Sequence, residues 1–174
     1  QTFWESIPPA ERAGGSLPRD IGVTSASIPP AERAGAFAAG VAPANPDNTI
    51  SRQAFRAHYQ SIIKHYRPDD PARSRVRVAA SASDDYIGHC WLGIQMDFFT
   101  NRPCPWILDI SVRPEYRGKG VGTMLLVEAA EFARESGYDN IGLQVMAHNE
   151  QAHRFYQKAG FTPKAYALTR ILKG

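Results

Sequence analysis

The stretch VRPEYRGKGVG at residues 112–122 constrains this chain more than any other. An apolar run, Trp106 to Val112, leads into it, and a helical periodicity from about Val121 to Ser136 leads out. The chain must therefore turn from strand to helix within a few residues. Gly118, Gly120 and Gly122 free the backbone for such a turn and hold no Cβ against a ligand. The first amides of the helix lack intrahelical partners and carry partial positive charge, to which Arg117 and Lys119 add formal charge. Such a place binds phosphate.

Three kinds of phosphate loop place glycines between a strand and a helix. A P-loop needs a hydroxyl after its lysine, but Gly120 follows Lys119. A dinucleotide fingerprint needs a third glycine where Thr123 stands, and the strands upstream read as antiparallel. The third pattern, Arg-x-x-Gly-x-Gly, is met by Arg117, Gly120 and Gly122, with successive backbone amides wrapping a pyrophosphate. An ordinary tight turn is the plain alternative.

The periodicity predicts a helix over about 51–66, capped by Asn48 or Thr49 and stopped by Pro68, with Phe55, Tyr59, Ile62, Ile63 and Tyr66 at helical spacing. Val76, Val78 and Ala80 then alternate with Arg75, Arg77 and Ala79, and Asp84-Asp85 turns the chain into a second strand from Tyr86 to about Met96. A loop at 101–105 precedes the strand 106–112. Gly137 ends the helix that follows the glycines, and a strand is expected over 141–146. Asn149 caps a further helix through Ala159, Gly160 stops it, and 165–172 reads as a closing strand. This order describes an α+β fold: a mixed, mostly antiparallel sheet with helices packed on it.

The first fifty residues follow no such rhythm. SIPPAERAG occurs at 6–14 and again at 27–35, and two copies are too few for a solenoid. Pro29-Pro30 opens a short helix to about Val41. Residues 1–50 are read as an irregular segment and 51–174 as one domain. The excess of 20 Lys+Arg over 17 Asp+Glu, net +3, is far short of the basic stripe of a nucleic-acid binder. No apolar run approaches the ~18–20 residues of a membrane span, and no signal-peptide core is visible. Cys90 and Cys104 are expected as reduced thiols in a cytoplasmic protein. His58 and His65 are seven apart and His148 and His153 five apart, which is not the spacing of a helical zinc site, so no metal is expected.

The runs ILDISVRPEYRGKGVGTMLL and LQVMAHNEQAHRFYQKAGF together resemble the two central motifs of the GNAT superfamily of acetyl-CoA-dependent N-acetyltransferases. The resemblance covers about residues 86–172; the family's first strand is not found in the first fifty residues. It implies a GNAT-like sheet with splayed middle strands and flanking helices, with acetyl-CoA as co-substrate. Ile110, Ser111 and Val112 would offer free backbone groups to the pantetheine arm and the thioester carbonyl. Arg117, Gly118, Lys119, Gly120, Val121, Gly122 and Thr123 would hold the pyrophosphate. Asn149 would lie beside the pantetheine, and Tyr156 would protonate the departing thiolate, its phenol with a pKa near ~10 being still protonated at neutral pH. A buried structural role is the plain alternative for Tyr156.

The acceptor is expected to be a primary amine of a small molecule, with no nucleic acid and no membrane as partner, and a homodimer allowed. An amine of pKa ~10.4 must lose its proton at pH 7 at a cost of roughly 4.6 kcal/mol. Strict strand alternation would set Asp109 and Ser111 on one side and Leu108, Ile110 and Val112 on the other, making Asp109 the nearest carboxylate visible in the sequence to the expected thioester. Asp109 is the candidate base, pairing with a nearby cation being the plain alternative. The alternatives for the whole chain are a protein or peptide N-acetyltransferase and a non-catalytic acyl-CoA-binding module.

Overall fold

The computed structural model describes residues 21–25, 52–68, 70, 73–170 and 172. They fall in two compact units, one ending at Gln144 and the other beginning at Val145. The first holds a five-stranded sheet in sequence order: β1 (Gly22–Ser25), β2 (Ser74–Ala80), β3 (Tyr86–Met96), β4 (Pro103–Val112) and β5 (Gly142–Leu143). The first three pairings are antiparallel and the last, β4 with β5, is parallel. Helix α1 (Arg52–Tyr66) precedes β2, and α2 (Val121–Glu135) connects β4 to β5. The second unit carries α3 (Glu150–Lys158).

The alternation in β2 decides which helix covers which face. Tyr59 of α1 packs with Val76, Val78 and Trp91, and Ile62, Ile63, Tyr66 and Leu108 close around them. Trp91 meets the rings of Tyr59 and Tyr66 edge-on, at 6.3 and 6.4 Å between centroids. Arg75 and Arg77 point the other way. The Arg75 guanidinium lies 4.9 Å over the ring of Phe132, and Arg77 reaches Glu128 at 3.9 Å, so α2 covers the opposite face. Leu125, Leu126, Ala129 and Ala133 are buried along that helix, each leucine stabilising by about 1.5–3 kcal/mol.

The β3–β4 ladder contains one irregularity. Trp91 pairs with Asp109, but Leu92 pairs with Ile107, which leaves Leu108 as an extra residue in β4. This β-bulge cancels the expected alternation locally. Leu108 packs against the Trp91 cluster, and Asp109, paired with Trp91, faces the same side of the sheet.

Four further expectations are corrected. Gly22–Ser25 is a strand inside the stretch read as irregular, pairing with β2. β4 begins at Pro103, not Trp106, with Pro103 and Pro105 opposite Met96 and Ile94. Residues two apart present their polar groups to the same edge, so both prolines turn their missing N–H away from β3. β5 is two residues long, where 141–146 was expected. The described residues of 165–172 form no strand, and Tyr166, Leu168 and Leu172 are 82%, 93% and 80% exposed. Alternation is necessary for a half-buried strand, but a ladder also needs a partner edge. The repeated SIPPAERAG, the short helix expected up to about Val41 and the expected caps Asn48 and Thr49 lie outside the described residues.

Candidate active site

The glycine loop forms at the end of β4 much as its composition requires. After Val112 the chain makes a single 3-10 turn, Pro114–Tyr116, and then bends through Arg117–Gly120 into α2. Gly118 and Gly120 hold φ of 74° and 82°, the left-handed region that glycine enters without a steric cost. Gly120 is the N-cap of α2 and, having no side chain, leaves the helix without a side-chain cap. The amides of Val121, Gly122 and Thr123 therefore open the helix with the partial positive charge of its dipole behind them. A Cβ at Gly118 would meet nothing within 4 Å, so the loop is open there, and it is the positive φ that calls for glycine.

The two cations fold back on this loop. Arg117 donates from Nε to the Val112 carbonyl at 3.0 Å, and Lys119 Nζ lies 5.2 Å from the centre of the Tyr116 ring. Both side chains remain exposed. Arg113 ties the turn to β3, donating from its backbone N–H to the Ile87 carbonyl at 2.9 Å and pairing with Glu115 at 2.6 Å.

The edge of β4 is partly open. Its ladder to β5 comprises two residue pairs, Trp106 with Gly142 and Ile107 with Leu143, and then stops. Ile110, Ser111 and Val112, all half-buried, stay paired with Cys90, His89 and Gly88 on the β3 side. The expectation of free backbone groups is corrected at Val112, whose carbonyl is taken by Arg117.

Asp109 is buried, 8% exposed, with its Oδ2 3.2 Å from Nε2 of His89. His89 is 0% exposed, and its Nδ1 is bonded to the Tyr86 hydroxyl. The sequence reading missed both partners. A histidine at an inward position of the run IGHCWLG was the available signal, because a buried imidazole needs partners for its nitrogens. Cys90, fully buried on the other face of β3, has its thiol pushed up by burial and by the nearby Asp109 carboxylate. Both cysteines are free and buried.

In the second unit, Asn149 caps α3, its Oδ1 accepting from the Ala152 amide at 3.1 Å. Tyr156 is half-buried between the rings of Phe155 and Phe161, at 5.2 and 5.8 Å. The predicted site thus divides into Asp109 and the 110–123 segment in one unit, and Asn149 and Tyr156 in the other.

Among the described residues no cluster of His, Cys, Asp and Glu could hold a metal ion, and no helix is long and apolar enough to cross a membrane. A shallow pocket of about 200 Å³, lined by His65, Tyr66, Arg73 and Ile94, lies near the start of β4, away from the glycine loop.

Residues 44–161 match the family model described as acetyltransferase (GNAT) family. Streptothricin acetyltransferase of Streptomyces lavendulae is 37% identical over 92 residues, which make up 53% of this chain and 47% of that protein. The chain spans about half the length of the first curated relatives it matches. A putative acetyl transferase from Pyrococcus furiosus superposes with a TM-score of 0.71 at 22% identity, over 88% of this chain and 100% of that one. AAC(6')-Iy, solved with the bisubstrate analog CoA-S-monomethyl-acetylneamine, superposes with a TM-score of 0.61 at 16% identity, over 88% and 99%. These two likenesses are of fold.

Proposed function

The chain belongs to the acetyltransferase (GNAT) family, and from that premise we propose that it moves the acetyl group of acetyl-CoA onto a primary amine of a small molecule by direct attack. One observation carries the reading: left-handed glycines deliver an uncapped helix N-terminus to the end of a strand whose outer edge has lost its partner. The amides of Val121, Gly122 and Thr123 fit a pyrophosphate, with Gly118, Lys119 and Arg117 around it. The β4 edge at Ile110 and Ser111 fits the amide-bearing pantetheine arm, which can pair with a strand as another strand would. The thioester supplies the acyl group. Amide donors at that edge favour the carbonyl oxygen as it gathers charge.

Asp109 takes the proton of the incoming ammonium, and Tyr156 returns one to the departing thiolate. The role of Asn149 beside the pantetheine and that of Tyr156 rest on the motif NEQAHRFY, which runs from the N-cap of α3 into the helix. A small-molecule acceptor is favoured by the relative named for streptothricin and by the structural neighbour bound to an acetylneamine analog. No nucleophilic cysteine is involved, since both thiols are buried.

Calorimetry with coenzyme A, followed by thiol release from acetyl-CoA in the presence of streptothricin, neamine or thialysine, tests the proposal. Wild type should bind coenzyme A and release thiol with at least one amine. Asp109→Asn should lower turnover about 10²–10⁴-fold. Binding without release from any amine would favour the non-catalytic module, and absence of binding would remove both readings. Full turnover by Asp109→Asn between pH 6 and 9 would remove Asp109 as the base.

A further inference from the structure

We infer that His89 positions the Asp109 carboxylate for proton removal, and that Tyr86 fixes which nitrogen of His89 carries the hydrogen. The inference rests on Asp109 being the base. A 0% exposed imidazole is costly unless its nitrogens are bonded, and both are, Nδ1 to the Tyr86 hydroxyl and Nε2 to Asp109 Oδ2 at 3.2 Å.

The direction of the chain follows from the chemistry of its end. An ionised carboxylate only accepts, so Nε2 must carry the hydrogen that points at Oδ2. In a neutral ring Nδ1 is then a lone pair, and the Tyr86 O–H is the group that can fill it. With the ring neutral, donation runs from Tyr86 to His89 to Asp109. Phenol and imidazole are three residues apart on β3, and His89 reaches across to a carboxylate that the Leu108 bulge has turned onto its face.

What this does for the reaction is geometric. The bond from His89 at Oδ2 restrains the carboxylate, and Oδ1, to which no hydrogen bond is seen among the described residues, is the oxygen left for the ammonium proton. The proton moves from nitrogen to Oδ1, leaving a neutral amine and a carboxylic acid. His89 and Tyr86 gain and lose nothing in that step. They are positioning residues.

The experiment measures kcat and KM for Tyr86→Phe, His89→Gln and His89→Leu in the full chain, each alone and combined with Asp109→Asn. It uses acetyl-CoA and the best acceptor among streptothricin, neamine and thialysine. Tyr86→Phe should lower kcat about 10-fold and His89→Leu about 100-fold, with KM for acetyl-CoA unchanged. His89→Gln, whose side-chain amide still offers an N–H toward Oδ2, should recover to within about 3-fold of wild type. In the Asp109→Asn background none should change kcat by more than about 2-fold, because contributions made through one group are not additive. Nitrogen-15 spectra of labelled histidine need no acceptor and cover the case in which His89→Leu does not fold. They should show His89 neutral with its hydrogen on Nε2.

Equal penalties in both backgrounds, a His89→Gln variant no better than His89→Leu, or the hydrogen on Nδ1 would overturn the inference alone. A fully active Asp109→Asn variant would overturn the base assignment and this inference with it.

Discussion

Cys90 sits in the middle of β3, next to His89 in the chain and opposite Ile110, with its thiol pushed above the ordinary value of 9.0 by burial first and the Asp109 carboxylate second. Above that pH an unfolded chain releases the thiol proton while the folded chain keeps it. The folded state then binds more protons, so stability must fall as pH rises through and beyond about 9, by at most about 1.4 kcal/mol per pH unit. Urea unfolding at pH 8 and pH 10 should show wild type losing about 1 kcal/mol more between the two than Cys90→Ala loses. Equal losses would mean that the buried thiol is not the cause. The neighbouring residues show how far a single position can be read from sequence. Asp109 was visible as a carboxylate in an apolar strand, but the side it faces was not, because one extra residue at Leu108 undoes the alternation on which that inference depended.

α3 was the most legible of the elements. An Asx residue before an amphipathic run and a glycine behind it predicted both ends, and the structure has Asn149 as N-cap and Gly160 at φ 84° just past the helix. That legibility supplies a way to separate cap from cofactor contact at Asn149. Asn149→Ala should cost about 1 kcal/mol in thermal or urea unfolding, whereas Asn149→Asp keeps an acceptor for the Ala152 amide and should lie within about 0.5 kcal/mol of wild type. On the proposed role beside the pantetheine, calorimetry should find coenzyme A weakened by both substitutions. A wild-type affinity in Asn149→Asp would leave the residue as a cap and nothing more. The sheet was read less well at its margins. β5 shrinks to Gly142–Leu143 and the 165–172 pattern stays unpaired, since alternation reports what a face could bury and not whether an edge is there to receive it.

For the molecule taken together, the binding proposal makes a thermodynamic demand. A ligand held only by the folded state at 100 times its Kd adds about 2.7 kcal/mol, which for a chain of this size is a rise of roughly 5–10 °C in Tm. Coenzyme A should produce that rise in wild type. Gly120→Val should abolish it, because φ of 82° is closed to a β-branched residue and the amides of α2 would be re-aimed. A rise that survives the substitution would place the ligand elsewhere. Local chemistry in the chain was enough to settle the turn at Gly118 and Gly120, the start of α2, the cap of α3 and the antiparallel hairpin of β2 and β3, since each depends on residues a few positions apart. The bulge at Leu108, the early start of β4 at Pro103, the pairing of Gly22–Ser25 and the Tyr86–His89–Asp109 chain were settled by folding. Each requires strands distant in sequence to meet in one register, and register is chosen by the packing of the whole sheet.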